Sequence, residues 1–531
     1  MTKGWVHLVL VIACLNGCGS DGGGGTVGGG GGTVGGGGGT VGGGGGDVGG
    51  GGGGTLPVTI QITTPSAGQI VANGTGQVEV SVELSGTVSG VQLVSVDGSG
   101  TRSPPIAATS TDSRHYTGKV ALWANANTIE ADATCLDGSH STATVQVEYP
   151  FVQFTAFQDA SVVIGQAKFE HYDENRGGLP GAGTLALPLG RALTDGGKLF
   201  ISDSGNHRVL VFDSVPDTSG SSASFVLGQP SLDVTDAGST DAKWIAPLGV
   251  AAGSGALLVA DQNRVLVFSS MPTQTGVAAS FVEGWDDFHT APSDTCARNR
   301  ISRAAGVWVV KDKLLVADSY NHRVLVWNSI PTKNGQDADL VLGQADFTYC
   351  NANAGGDVVP GDSTMRNPTD VWSDGVRVVV ADSGNNRVLV WNSFPEENGK
   401  AAGLVLGQDG FKTAYVASTP TGLDGPNSVS SNGNQLFVSD SLNNRILIWD
   451  SFPTASGAPA SGVLGQRDLF HRQRNDDNQD YTPDSNPTGR TLWFPSGVAL
   501  WGDQLFVTDN RNNRVLIFKG TKPTGALPLA P

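Results

Sequence analysis

Positive charge is scarce in this chain: 32 Lys and Arg stand against 49 Asp and Glu, a formal net charge of −17. Phosphate binding needs a cationic footprint, so nucleic acid and anionic membrane surfaces are excluded as partners. The deficit is not confined to one end, since from Phe151 onward 28 Lys and Arg face 39 Asp and Glu. Long apolar runs are lacking too. The one near the N-terminus falls far short of the roughly 20 residues that span a bilayer. The five cysteines include no Cys-x-x-Cys spacing, which removes the usual zinc-site signature. Gly-x-Ser-x-Gly is absent, and no glycine loop opens a helix to cradle a phosphate.

What is present begins with "MTKGWVHLVLVIACLNGC", in which Lys3 precedes the short apolar run. Leu15–Cys18, "LNGC", resembles a bacterial lipobox, so residues 1–17 are expected to be a lipoprotein signal peptide. The resemblance makes Cys18 the lipidated first residue of an envelope protein, and Gly19 after it favours the outer membrane. Residues 18–54 are glycine broken by Thr-Val or Asp-Val every seven residues. Too few apolar side chains occur there to form a core, which predicts a tether with a reach of roughly 30–35 Å.

Residues 55–150 alternate apolar and polar residues, as in "VEVSVELSG" and "TATVQVEYP", between Gly, Asp and Asn. Short strands at this spacing predict an antiparallel β-sandwich. The stretch "WANANTIEADATCLDGSHSTATVQVEY" resembles the last strands of bacterial immunoglobulin-like domains.

From residue 151 to 531 a unit repeats six times, with equivalent arginines at 208, 264, 323, 387, 445 and 514. The first five units each hold four Val- and Leu-rich segments; in the third they are "GVWVV", "KLLVAD", "HRVLVWN" and "ADLVLGQ". No helical period appears, so the fold class is all-β, with six four-stranded units forming a six-bladed β-propeller. The sixth unit lacks a fourth segment, whereas "ASVVIGQ" (Ala160–Gln166) stands alone before the first. It is expected to pair as the outer strand of the last blade and seal the ring.

Six units also repeat a polar set: Asp203 with Arg208, Asp261 with Arg264, Asp318 with Arg323, Asp382 with Arg387, Asp440 with Arg445, and Asp509 with Arg514. The Asp ends the second strand, Asn-containing residues turn the chain, and the Arg begins the third. A desolvated guanidinium needs a partner, and the Asp across the turn supplies one. A catalytic residue is needed once, so six copies mean scaffold. The second unit is shorter by two residues at this point, and its turn must be tighter.

These segments, with "FPSGVAL", "APLGVAA" and "LFVSDSLNNRILIWDSFP", resemble NHL repeats. The resemblance implies the propeller fold; for activity it implies little, because NHL propellers include binding proteins and enzymes.

The turn after each second strand and the long links between blades (167–187, 230–246, 286–304, 345–367, 409–425 and 467–494) fall on one face. Variable loops on a constant scaffold are where specificity resides. Cys296 and Cys350 occupy consecutive links there and are expected to form a disulfide in an oxidising compartment. Cys14 leaves with the signal, and Cys135 is left as a small buried residue. Trp244, Trp285 and Trp493 flank the links and are candidates for a ligand-stacking surface. Trp327, Trp391 and Trp449 sit in third strands and belong to the core.

Histidine offers no metal site. His207 and His322 fill a turn position held elsewhere by Asn, and His171, His289 and His471 lie in three different links. The link "HRQRNDDNQDYTPDSN" (471–486) is rich in oxygen ligands of the kind calcium takes, but lacks calcium-loop spacing and reads as a solvated loop. The sequence therefore points to a lipid-anchored, monomeric envelope protein that binds a protein or other extracellular ligand without catalysis. The competing reading is a metal-dependent propeller enzyme of lyase or lactonase type.

Overall fold

The computed structural model describes residues 58–523 apart from 72–75, 99, 111, 293–295 and 356–358. The signal segment, Cys18 and the Gly-rich tether lie outside the described residues. Everything described is strand, turn or short 3₁₀ segment.

Residues 58–149 form two sheets packed face to face, one of four strands and one of five. Alternation drives this packing. Along Gln77–Leu84, residues Val78, Val80, Val82 and Leu84 turn inward onto Val91, Leu93, Ile129 and Ala131 of the other sheet. One pair departs from the antiparallel expectation: Gln69–Ile70 runs parallel to Val147–Glu148. Cys135 is buried as expected, and it is disulfide-bonded rather than spare.

Residues 160–520 form six sheets of four strands each. Blade 3 is representative, with strands Ala304–Val310, Lys313–Asp318, Arg323–Trp327 and Leu340–Leu342, all antiparallel neighbours in that order. The second and third strands are buried on both faces, because each blade is covered by its neighbours, and so they read as continuous Val and Leu runs. The ring closes as the orphan segment required. Val162–Ile164 pairs with the sixth blade through Val162–Ile517, Val163–Leu516 and Ile164–Val515.

Each repeated Asp–Arg pair is fully buried, with Nε to Oδ2 distances of 2.7–3.0 Å. In blade 5, Asp440 accepts from Arg445 and Asn443 through one oxygen and from the Asp424 amide through the other. The Arg445 guanidinium then donates to the Leu469, Thr419 and Gly422 carbonyls. One pair thus pins a turn to the links before and after it. Burial pushes the Asp440 carboxyl upward in pKa, and the Arg445 charge opposes that shift.

The turn between them needs a left-handed residue, supplied by Asn386, Asn444 and Asn513 at φ 52°, 53° and 51° and by His207 and His322 at 55° and 56°. The two histidines are therefore turn residues, as their interchange with Asn implied. Blade 2 achieves its tighter turn with Gln262 at φ 50°.

The "LGQ" segments hold the links in the same way. Gln466 donates to the carbonyls of Asn444 and Gln473, and Gln166, Gln229, Gln344 and Gln408 do the equivalent. The glycine before each is left-handed; a Cβ on Gly228, at φ 82°, would come within 2.4 Å of the Trp244 ring. Blade 2 breaks the pattern twice. Trp285 replaces the Gln and lies 4.9 Å below Arg264, and Glu283 replaces an outer-strand Leu. Glu283 is wholly buried, and burial pushes its carboxyl up to about 9, which keeps it neutral at pH 7.

The sandwich meets the propeller on the face away from the links. The hairpin between the first two strands of blade 5 grips the end of the sandwich: Asn434 donates to the Val71 and Pro150 carbonyls. Gln435 pairs with both backbone groups of Val152. The loop-rich face is left on the opposite side.

Candidate functional site

Two features mark the loop-rich face. The first is its apolar surface. Large hydrophobic side chains are exposed there at Tyr320, Tyr349, Tyr415, Leu442, Phe470 and Tyr481, with Tyr415 at 76% and Phe470 at 60%. On the other face of the propeller the exposed large hydrophobics among the described residues are Val376 and Trp501. Aromatic side chains left in water on one side of a scaffold are typical of interface anchors.

The links that carry them are fixed. Cys296 and Cys350 are joined by a disulfide that ties the link before blade 3 to the link after it. In the acidic link, Asp477 accepts both Nε and an Nη of Arg490 at 2.7 and 3.0 Å. Asp476 accepts the amides of Asp480 and Tyr481, and Asp484 accepts that of Asp477. His471 is buried against Tyr481, ring centroids 4.1 Å apart. These carboxylates close the loop on itself, and no group of three His, Cys, Asp or Glu able to hold a metal occurs among the described residues.

Two of the three candidate stacking residues are not on this surface. Trp244 is fully buried and Trp285 nearly so. Trp244 fills the space left by Gly228 and meets Phe268 edge-on at 6.1 Å, and Trp285 is roofed by Arg264. They are core of the loop layer, and the ligand-face assignment fails for both. Trp493 alone is partly open, with the Arg474 guanidinium 4.2 Å above its ring.

The second feature is the ring axis, which sequence reasoning missed. Fifteen residues separate Pro188 from Asp203, whereas fourteen separate the equivalent positions in each other blade. The extra residue makes a bulge with Gly190 at φ 66° and aims Arg191 down the axis. Its guanidinium crosses to the opposite blade and donates to Asp370 Oδ1 at 2.7 Å and the Val371 carbonyl at 2.8 Å. It also reaches the carbonyls of Val307 and Val429 at 3.3 Å and lies 4.4 Å from the Trp308 ring. Four blades are stitched by one side chain.

Asp370 stands where four other blades carry Gly, and Ser428 is the other substitution. The Asp370 carboxylate is saturated: besides Arg191 it accepts the Val371 amide, the Ser428 hydroxyl at 2.7 Å and the Val429 amide at 3.1 Å. Ser428 in turn lies 3.2 Å from the Val498 amide of the next blade. Burial raises the Asp370 pKa, and Arg191 opposes it. Above this pair, toward the links, a cavity of about 140 Å³ is lined by the starts of the six first strands, with Arg303 and Phe494 at its rim. Both departures were visible in the sequence, one as an extra residue and one as a lost glycine.

A family model described as NHL repeat matches residues 185–212 and 492–518, within the first and sixth blades. No curated protein matches the chain. Among solved structures, the PQQ-bound aldose sugar dehydrogenase of Streptomyces coelicolor is 16% identical, with 65% of this chain and 97% of that one covered at a TM-score of 0.36. A 6-phosphogluconolactonase assigned in Bacteroides uniformis is 11% identical over 83% and 97%, also at 0.36. The chain also matches a Cellulomonas fimi endo-β-1,4-mannanase at 20% identity and a TM-score of 0.14. That match takes in 17% of this chain, which spans only 18% of the mannanase.

Proposed function

We propose that the chain is a binding or scaffold protein that presents the loop-rich propeller face to a protein partner outside the cytoplasm, held to the envelope by lipid on Cys18. The observation that carries this reading is the segregation of exposed Tyr, Phe and Leu side chains onto the link face. The arrangement of the two domains supports it. The tether precedes the sandwich in the chain, and the sandwich grips the face away from the links, so it leaves the aromatic surface uncovered. Fixed links reduce the ordering entropy that binding would otherwise cost.

Among the described residues, no donor set stands behind the metal-dependent enzyme reading. The axial carboxylate is consumed by four donors, and the link histidines are scattered. A photo-crosslinking residue at Tyr415 or Phe470, in intact cells, is expected to trap discrete protein adducts. The same residue at Val376 or Trp501 is expected to trap none. Equal labelling from both faces, or none from the link face, removes the proposal.

A further inference from the structure

We propose that the axial cavity on the loop-rich face is a carboxylate site. The repeat geometry shows why. In blades 4 and 5 the residue after the Gly position turns both backbone groups toward the axis, as the contacts of Val371 and Val429 demonstrate, and in blade 6 the Val498 amide does the same. Each amide is capped by the side chain that blades 4 and 5 carry at the Gly position: Asp370 caps Val371 and Val429, and Ser428 caps Val498. Val250 and Val307 hold the same register, opposite Val259 and Val316. The preceding blades put Gly190 and Gly249 where the capping side chain would be, so both amides face the cavity without a cap.

Charge points the same way. The Arg191 guanidinium forms the floor and Arg303 the rim, and the one acid, Asp370, has its acceptor capacity filled. In a chain of net charge −17 this cavity is a local excess of positive charge, since Arg191 balances Asp370 and Arg303 adds a further cation. Its volume of about 140 Å³ suits a carboxylate on a short carbon body. A cavity of about 150 Å³ takes a molecule the size of benzene. The ligand is either a free small carboxylate or an acidic side chain of the bound partner. Arg303 is placed to steer it, being half-exposed and held over Tyr320 by a 2.9 Å bond to the phenol oxygen.

The full chain, purified in detergent, is titrated calorimetrically with butyrate, N-acetylglutamic acid amide, butyramide and butylammonium. The expectation is saturable binding of at least one carboxylate, at least tenfold tighter than either control. A preference for butyrate identifies a free acid, and a preference for the glutamyl probe identifies a partner's side chain. Gly249→Ser supplies the missing cap: a Cβ at Gly249 meets nothing closer than 3.6 Å, and its hydroxyl reaches the Val307 amide as Ser428 reaches Val498. This variant is expected to keep the parent melting temperature and lose carboxylate binding at least tenfold, as is Arg303→Met. Binding of butylammonium in preference, no saturable carboxylate binding, or full binding by Gly249→Ser overturns the proposal. Such a failure leaves crosslinking from Tyr415 and Phe470 intact, so the cavity and the protein-binding face are tested separately.

Discussion

Replacing Arg445 by Met is expected to destabilise the propeller by about 3–5 kcal/mol, because it strands a buried carboxylate without its counter-charge. Asp440 would retain Asn443 and the Asp424 amide, but three link carbonyls would lose their donor. The same loss is expected for Arg323→Met in blade 3, whose guanidinium holds the Phe347, Ala297 and Arg300 carbonyls. Equality between blades is the discriminating feature. A scaffold role makes the two variants alike in denaturant midpoint, whereas a site-specific role would set one apart. Equilibrium denaturation followed by tryptophan fluorescence reads this directly. Asp440→Asn is a milder companion, since the amide keeps one acceptor oxygen for the turn.

The second large effect is expected at the axis, and here the sign reverses on combination. Arg191→Val should cost about 3–5 kcal/mol by leaving Asp370 charged and enclosed, and Asp370→Gly should cost a similar amount by leaving the guanidinium unpaired. The double variant restores the side chains that most blades carry at these positions, Val and Gly. It is expected to return close to the parent stability, because a buried ion pair exchanged for apolar packing is often neutral. A coupling energy near zero would mean that Arg191 and Asp370 are not partners across the axis. The pair therefore reads as a device for shaping the cavity floor rather than for stability alone, since four blades without it close the ring with glycine or serine.

How much of this was legible follows from what repeats. The strands, the Asp–Arg pairs and the segment type of Ala160–Gln166 recur in the same order from blade to blade, so a single sequence acts as six aligned copies and exposes its own pattern. Departures within the copies carry the particular features. Trp285 for Gln, Glu283 for Leu and Asp370 for Gly each mark a place where neighbouring blades have adapted. What spacing could not reveal is contact across the ring. Arg191 and Asp370 are 179 residues apart and meet only because a bulge turns one toward the axis. Burial of Trp244 was equally hidden, since it depends on the missing Cβ of Gly228 from the preceding strand. The docking of the sandwich rests on side-chain amides meeting backbone carbonyls, and carbonyls have no sequence signature.

Every assignment of faces depends on the ring being closed by Val162–Ile164 against the last blade. The most direct test is a cysteine pair at Val163 and Leu516. These residues are register partners, and the backbone groups of Val163 turn outward to Ser219 and Gly220. That makes them a non-hydrogen-bonded antiparallel pair, the kind with the shorter Cα separation. The account predicts that Val163→Cys with Leu516→Cys oxidises to a single intramolecular disulfide linking the two ends of the propeller, found by peptide mapping. Failure of that bond to form in a folded chain, or a bond from position 163 to any other blade, would contradict it.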